Sequence, residues 1–311
     1  MSRAFRFLLR AREKLYTSGI LNTLRLKYPV ISVGNLTLGG TGKTPLVIAL
    51  AEGLRDRGFR PVVLSRGYRR TSREILVVGS NWEEAGDEPY LIKRRLGNVP
   101  VVVGADRYRA GLLAEGKELG NVFILDDGFQ HRRLHRDVDI VTIDPVEWAA
   151  GETLLPTGRW REPKSAIARA QVACIQEVTG AALPSLPIPS LVVKTEIQGL
   201  YKEDAAISPE TLKEQAVVAF AGISKPERFF AALQSLGIYP ARCVRFRDHH
   251  PYSPREIEKL GGEVRITTEK DAVRLAGIPA DFLYLRISAN IPDFERLMSL
   301  ILNRLPCSGA L

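Results

Sequence analysis

A glycine-rich turn between an apolar run and a helical pattern is the feature of this sequence that most restricts its fold. The apolar run covers residues 30–33, the turn reads Gly39-Gly40-Thr41-Gly42-Lys43-Thr44, and the helical pattern covers residues 46–57. A strand that enters a helix through such a turn presents backbone N–H groups to phosphate oxygens at the positive helix end. The pattern therefore predicts a P-loop, in which Lys43 contacts phosphate oxygens and the Thr44 hydroxyl binds Mg²⁺.

Short β-branched runs alternate with helix-length segments along the chain, which is typical of βαβ units and a mainly parallel sheet. These runs cover residues 30–33, 61–65, 99–103, 122–125, 138–143, 172–175, 216–221, 242–246 and 264–268. We predict an α/β fold with a P-loop NTPase-like, mainly parallel sheet and helices on both faces over residues 29–177. A Pro-rich linker over residues 178–190 then leads to a second, smaller α/β domain over residues 191–311 that contributes to the active site.

The positive charge of the chain is concentrated at its N-terminus. Of the net charge of +9, most comes from residues 1–28, where seven basic residues accompany Glu13 alone. A helical wheel separates apolar from basic side chains, with Ala4, Phe5, Leu8, Ala11, Leu15 and Tyr16 opposite Arg3, Arg6, Arg10 and Lys14. We predict that residues 1–28 form a basic amphipathic helix that contacts an anionic membrane surface. The alternative is a surface helix packed on its own domain.

Other features of the composition exclude several classes of protein. No uncharged run reaches the roughly 18 apolar residues of a membrane span, and the basic N-terminus lacks the apolar region of a secretory signal. Cys174, Cys243 and Cys307 are far apart and without zinc-site spacing, so we expect reduced thiols and a cytoplasmic protein. Because the basic charge is not spread over the folded chain, we expect no nucleic-acid partner.

Charged residues follow three of the predicted strands. Asp126 and Asp127 follow residues 122–125, where a carboxylate can bind Mg²⁺ at the carboxyl end of a parallel strand. Arg66 and Arg107 follow the second and third strands, and guanidinium groups at that edge suit phosphate oxygens. The alternative is that the two Asp form a turn and that the arginines lie in solvated loops.

Several motifs together resemble the tetraacyldisaccharide 4'-kinase family, the lipid A biosynthetic kinases of Gram-negative bacteria. The residues that carry the resemblance are Val33-Gly34-Asn35, residues 39–45, Leu64-Ser65-Arg66-Gly67-Tyr68, Gly86-Asp87-Glu88-Pro89, residues 125–131, Arg161-Glu162-Pro163, Asp248-His249 and residues 267–271. The resemblance covers the chain from the N-terminal arm to about residue 275. Thr37, where a strict P-loop has Gly, also fits this family.

The resemblance implies an enzyme that transfers the γ-phosphoryl group of ATP, with Mg²⁺, to the 4'-hydroxyl of a tetraacyldisaccharide 1-phosphate, giving lipid IVA. It implies an anionic acylated glucosamine disaccharide as acceptor and a peripheral or monotopic location at the cytoplasmic face of the inner membrane. Four acyl chains hold such an acceptor in the bilayer, because each buried CH₂ contributes about 0.8 kcal/mol. The enzyme must therefore reach the membrane, which favours a membrane-contacting role for the N-terminal helix.

The resemblance also implies roles for individual residues. It implies that the catalytic residues are Asp87 as general base, His249 as its partner, Lys43 and Arg161. By the same resemblance, the nucleotide is bound by Gly39, Gly40, Thr41, Gly42, Lys43 and Thr44, and the metal by Thr44, Asp126, Asp127, Gln130 and Glu162. On the same basis, the acceptor is contacted by Arg66, Tyr68 and Arg107. Which acidic residue binds the metal directly stays open.

Two other functions are compatible with a P-loop. One is a GTPase or ATPase switch that acts on a nucleic-acid or protein partner, although the guanine-reading Asn-Lys-x-Asp motif is absent. The other is a lipid-binding module with a decayed nucleotide site, which the retention of Lys43, Thr44 and both Asp residues disfavours.

Overall fold

The computed structural model describes residues 2–212 and 215–306. The chain forms two compact units, Met1–Thr195 together with Ala289–Leu311, and Glu196–Ser288. The segment after the second unit thus groups with the first unit. The domain boundaries expected from the sequence, with a linker over residues 178–190, remain a prediction. Cys174 and Cys243 are free thiols, and Cys307 lies outside the described residues.

The chain contains strands and helices in alternation. The strands are β1 (Val30–Asn35), β2 (Pro61–Ser65), β3 (Leu76–Val77), β4 (Val101–Val103), β5 (Val122–Asp126), β6 (Val138–Ile143), β7 (Val172–Gln176), β8 (Ser190–Lys202), β9 (Ala205–Ile207), β10 (Val217–Ala221), β11 (Arg242–Arg245), β12 (Val264–Thr268) and β13 (Leu283–Asn290). The α-helices are α1 (Ser2–Thr17), α2 (Lys43–Arg55), α3 (Trp82–Ala85), α4 (Asp87–Leu96), α5 (Arg107–Gly116), α6 (Pro145–Ala149), α7 (Pro226–Ser235), α8 (Pro254–Lys259), α9 (Glu269–Arg274) and α10 (Phe294–Leu302). Two 3₁₀ helices cover Lys164–Arg169 and Pro209–Leu212.

The first unit is built on a mainly parallel sheet. Its strands lie in the order β3-β4-β2-β5-β1-β6-β7 and the first residues of β8, and only β3 runs antiparallel to its neighbour. Every residue of β1, β2, β5, β6 and β7 is buried, because helices cover both faces of the sheet. One face packs on α2 and the other on α5. This arrangement confirms the predicted α/β fold class.

The parallel register brings the carboxyl ends of the central strands together. Val33 of β1 pairs with Asp126 of β5, and Leu64 of β2 pairs with Leu125. The turns that follow β1, β2 and β5 therefore leave the sheet at one edge, where parallel α/β sheets bind their ligands. All the candidate site residues of the first unit follow strands at this edge or lie in turns packed against it.

The second unit has its own parallel core. β10 pairs with β11 and β12, and β12 pairs with β13, all in parallel. Phe229, Phe230 and Leu233 of α7 pack on one face of these strands, in a cluster that includes Ile266. β8 and β9 form an antiparallel pair that the sequence did not predict.

Helices at the two ends of the chain pack on the first unit. α10, which the sequence did not predict, buries Leu297, Met298 and Ile301 in the same cluster as α2. α1 confirms an amphipathic helix at the N-terminus, but the helix ends at Thr17 and does not reach the predicted residue 28. Its apolar side chains do not all face the same way. Phe5 packs on the first unit, whereas Leu8, predicted on the same side, is 63% exposed. Within the described part of the chain, every helix is too short or too polar to cross a bilayer.

Candidate active site

The glycine turn leads from β1 into α2, which begins at Lys43. Gly42 caps the helix with φ 76°, a left-handed conformation that favours glycine. A Cβ atom at this position would lie 2.4 Å from Nε2 of Gln176, so any larger residue would also have to displace that side chain. The turn thus has the geometry in which helix N–H groups at the positive end of α2 face an anion.

A buried chain of hydrogen bonds holds the turn against the sheet. Asn35 Nδ2 donates to Thr41 Oγ1 at 3.1 Å, and the hydroxyls of Thr41 and Thr142 lie 2.7 Å apart. Thr142 Oγ1 also donates to the carbonyl of Gly34 at 3.2 Å. Fully satisfied buried networks of this kind rigidify the backbone around them. The sequence prediction missed Asn35 and Thr142. The assignment of Thr41 to the nucleotide stays a prediction, and its hydroxyl belongs to this hydrogen-bonded chain.

Lys43 is the cation at the centre of the site. Its ammonium group donates to Asn35 Oδ1 at 3.0 Å and lies 3.1 Å from Asp127 Oδ1. These two contacts hold the side chain back over the turn, where a P-loop lysine meets phosphate oxygens. Thr44, the next residue, is partly buried in the first turn of α2.

Asp127 joins Lys43 to a second cation. Arg161 Nη1 donates to both carboxylate oxygens of Asp127, at 2.9 and 2.8 Å, and to Gln130 Oε1 at 3.3 Å. Gln130 Nε2 in turn donates to the carbonyl of Asn35 at 2.8 Å. Burial alone would raise the pKa of Asp127, but the charges of Lys43 and Arg161 outweigh it and lower the pKa below its ordinary value.

Asp126, the neighbouring carboxylate, has a different environment. It is 2% exposed, and its Oδ2 accepts a hydrogen bond from Ser65 Oγ at 2.8 Å. Burial, with the nearby charges of Glu88 and Asp127, raises the pKa of Asp126 to about 7. The two adjacent Asp residues therefore differ, since Asp127 stays ionised whereas Asp126 takes up a proton near neutral pH.

Glu162, the third carboxylate of the predicted metal set, has a different partner. It is 5% exposed, and its Oε2 accepts a hydrogen bond from Arg169 Nη2 at 2.6 Å. Its other oxygen, Oε1, is buried and makes no hydrogen bond with the described residues.

Across residues 2–212 and 215–306, no group of three or more His, Cys, Asp or Glu side chains could hold a metal ion. The oxygen donors nevertheless fit Mg²⁺, which proteins usually bind through one or two carboxylates together with water and substrate phosphates.

The predicted base, Asp87, lies at the first position of α4 and is 4% exposed. Its Oδ1 accepts a hydrogen bond from the backbone N–H of Glu88 at 2.8 Å. Gly86, with φ 94°, precedes it, and a Cβ there would lie 3.0 Å from the carbonyl of Tyr68. The turn before α4 therefore packs on the turn after β2, which carries the predicted acceptor residues Arg66 and Tyr68.

Arg107 lies at the start of α5 with 7% exposure, and its Nη1 donates to the carbonyl of Ala105 at 2.9 Å. Burial lowers its pKa, Arg66 lowers it further, and the carboxylates of Asp127 and Asp126 oppose the change. These electrostatic effects indicate that Arg107 lies near Arg66 and near the Asp pair. Tyr68 is 51% exposed and contacts the guanidinium of Arg69 through its ring.

His249 belongs to the second unit. Its backbone N–H donates to the carbonyl of Gly222 at 3.0 Å, and its Nε2 lies 3.2 Å from the ammonium of Lys270. Asp271 fixes the same turn, because its carboxylate accepts hydrogen bonds from the N–H of Gly222 and from the hydroxyl of Tyr252 at 2.7 Å. Asp271, the last residue of the motif at residues 267–271, thus stabilises the turn that carries His249, a role that the sequence did not predict.

Together, the parallel sheet, the glycine turn that enters α2 and the Lys43–Asp127 pair define a P-loop protein of the phosphoryl-transfer class. The family model described as tetraacyldisaccharide-1-P 4'-kinase matches residues 1–306. The chain belongs to this family and is a kinase, which confirms the resemblance and the function predicted from the sequence.

Relatives and a solved structure agree with this assignment. The tetraacyldisaccharide 4'-kinase of Aquifex aeolicus is 41% identical over 305 residues, which cover 93% of this chain and 92% of the relative. That of Dechloromonas aromatica is 43% identical over 263 residues, covering 82% and 78%. A 2.2 Å crystal structure of the Aquifex aeolicus LpxK in complex with ATP superposes with a TM-score of 0.84 at 36% identity, covering 98% of this chain and 97% of that one.

Proposed function

We propose that this kinase transfers the γ-phosphoryl group of ATP to the 4'-hydroxyl of a tetraacyldisaccharide 1-phosphate, with Mg²⁺, at the cytoplasmic face of the inner membrane. One observation carries the proposal: Lys43, Asp127 and Arg161 form a continuous ion-pair chain at the end of the glycine turn. Two cations beside a helix N-terminus suit the phosphate oxygens of a nucleotide.

Positioning and charge neutralisation are the main contributions of this site. Phosphoryl transfer has a loose transition state with charge spread over the equatorial oxygens, so aligned cations lower its energy. The backbone of Gly39, Gly40 and Gly42 surrounds the phosphates, with Thr41 holding the turn in place. Lys43 and Arg161 then exchange their contacts with Asp127 for contacts with phosphate oxygens.

The residues that hold Mg²⁺ in this proposal share oxygen donors near the glycine turn. They are Thr44, Asp126, Asp127, Gln130 and Glu162. The ion would neutralise charge on the β- and γ-phosphate oxygens. The buried, unpaired Oε1 of Glu162 supports a place for it in this set, directly or through water.

The acceptor lies, in this proposal, along the turn after β2. Asp87 accepts the proton of the 4'-hydroxyl, and its burial beside the Tyr68 turn keeps the carboxylate away from bulk water. Arg66, Tyr68 and Arg107 contact the acceptor or the transferring phosphoryl group.

The outer face of α1 provides the membrane contact. Phe7 and Leu8 are 70% and 63% exposed, and the exposed Arg10 and Lys14 lie on the same helix. Apolar side chains flanked by cations favour an anionic lipid surface. This location matches an acceptor whose acyl chains keep it in the bilayer.

The test uses purified protein, γ-labelled ATP, Mg²⁺ and the tetraacyldisaccharide 1-phosphate in detergent micelles. We expect the label in the glycolipid, with mass spectrometry placing one added phosphate at the 4' position. The alternative, a P-loop switch, predicts release of labelled inorganic phosphate at a rate that does not depend on the glycolipid. Label in phosphate alone would therefore reject the proposed function.

A further inference from the structure

The face of α1 that packs on the first unit is partly charged. Phe5 and Leu9 pack against the cluster that contains Trp160 and Ile167. Arg12 and Glu13 follow on the same side of the helix, at intervals of three and four residues. A helix that only needed to be attached would use apolar side chains there, so these two charged residues require another explanation.

Glu13 connects two separate segments of the first unit. Its carboxylate accepts hydrogen bonds from Arg132, and from Arg169 Nη1 at 3.1 Å. Arg132 lies in the segment after β5, and Arg169 ends the 3₁₀ helix Lys164–Arg169. Glu13 is also the sole acidic residue among residues 1–28, in an arm that otherwise carries positive charge.

Arg169 carries this connection into the active site. Its Nη1 contacts Glu13 while its Nη2 donates to Glu162 at 2.6 Å, and its guanidinium lies 4.5 Å from the centre of the Phe129 ring. Glu162 is buried and directly follows Arg161, which lies 2.8 Å from Asp127. A displacement of Arg169 would therefore move Glu162, and through the peptide bond between Glu162 and Arg161 it would also move Arg161.

Arg12 makes a parallel connection on the other side. Its guanidinium donates to the backbone carbonyl of Gln130, whose side chain bonds to the carbonyl of Asn35 at 2.8 Å and to Arg161 at 3.3 Å. The segments on both sides of the Asp127–Arg161 pair are thus hydrogen-bonded to α1.

We propose that Glu13 is a positioning residue for phosphoryl transfer: it joins Arg132 to Arg169 and thereby keeps Arg161 and Asp127 in register with Lys43. The proposal rests on the proposed function. The same helix presents Phe7 and Leu8 outward, so its seating on the first unit links the lipid-facing surface to the geometry of the glycine turn. Turnover then depends on the inner face of α1 independently of membrane affinity.

The test compares Glu13→Gln and Glu13→Asp with wild type, and uses Arg6→Gln as a matched control. Arg6 of α1 pairs with Glu152 at 2.6 Å, so its replacement weakens helix docking at the end remote from Glu13, while Glu152 keeps its hydrogen bond from the backbone N–H of Lys164. For each protein, kcat and KM are measured in mixed micelles, and vesicles with anionic lipid report membrane binding by sedimentation. Thermal melting shows that each variant is folded at the assay temperature.

For Glu13→Gln we expect kcat to fall about 10- to 100-fold, because small misplacements of aligned groups have effects of this size. Vesicle binding and the KM for the glycolipid should stay within about twofold, and Glu13→Asp should recover part of kcat. A kcat for folded Glu13→Gln equal to that of wild type would overturn the proposal. An equal loss in Arg6→Gln would also overturn it, since docking of the helix in general would then be the cause. A wild type that never labels the glycolipid would instead reject the proposed function.

Discussion

The ammonium of Lys43 lies 3.1 Å from one oxygen of Asp127, and the guanidinium of Arg161 lies 2.8 Å from the other. One carboxylate therefore pairs with both cations that a triphosphate would contact. Nucleotide binding has to replace these ion pairs, so Asp127 lowers the affinity for the nucleotide in the absence of metal while it keeps the cations aligned.

Replacing this carboxylate should separate nucleotide binding from transfer. We expect Asp127→Asn to bind ATP in EDTA about tenfold more tightly than wild type, because two unpaired cations then face the phosphates. Transfer to the glycolipid should fall. For the ATP affinity in EDTA, Asp126→Asn is the matched control, since Asp126 is bonded to Ser65 whereas Asp127 pairs with both cations. Isothermal titration measures the affinity, and weaker ATP binding by Asp127→Asn would contradict the account.

The pKa of Asp126 predicts how stability depends on pH. Its pKa is raised from 3.8 to about 7 in the folded protein, so the folded state binds a proton that the unfolded state loses between these values. The stabilising contribution of the protonated group is complete below about pH 4 and is lost as pH rises through about 7.

Asp126→Asn removes this titration and keeps a similar shape. We expect wild type to lose melting temperature relative to Asp126→Asn as pH increases from about 5 to 8, whereas the two should change in parallel below about pH 4. Differential scanning calorimetry across this range gives the comparison. A difference that does not vary with pH would show that Asp126 is already ionised at pH 5.

The role of Asp87 can be tested against a nearby carboxylate. Loss of a general base typically costs about 10²- to 10⁴-fold in rate, and we expect Asp87→Asn to lower kcat within that range with little change in the KM for ATP. Glu84→Gln, at an exposed position three residues earlier, should leave kcat within about twofold. Steady-state kinetics with labelled ATP decide the matter, and full activity in Asp87→Asn would remove this residue as the base.

The outward side chains of α1 should control membrane affinity. Burial of a Phe or Leu side chain contributes about 1.5–3 kcal/mol, so Phe7→Ser with Leu8→Ser should weaken vesicle binding by at least about tenfold. Leu112→Ser, at a position 44% exposed on α5, should have little effect. Sedimentation with anionic vesicles compares the three proteins. Equal binding by all of them would place the membrane contact elsewhere.

Much of the first unit could be predicted from the sequence because its strands are buried on both faces. The runs at residues 61–65 and 138–143 match β2 and β6 end to end. β8 was missed because it has exposed residues such as Lys194 and Glu196, which interrupt the apolar pattern. α10 was missed because it lies beyond the last recognised motif.

The sequence indicates which residues belong to the candidate site, but not which partners each of them contacts. The adjacent Asp126 and Asp127 look alike in the sequence, and only tertiary neighbours distinguish the carboxylate bonded to Ser65 from the one paired with Lys43. Glu13 gave one signal, as a single acid in a basic helix, but its partners are more than a hundred residues away. Such long-range pairs leave no local pattern.

Single-turnover transfer by wild type and Lys43→Met tests the central claim most directly. Enzyme in excess over γ-labelled ATP is mixed with the tetraacyldisaccharide 1-phosphate and Mg²⁺, and labelled glycolipid is followed over time. We predict transfer by wild type and a rate at least about a hundredfold lower in a folded Lys43→Met, since one lost donor to the transferring group has an effect of that order. Equal rates for the two proteins would show that the glycine turn does not hold the transferred phosphate.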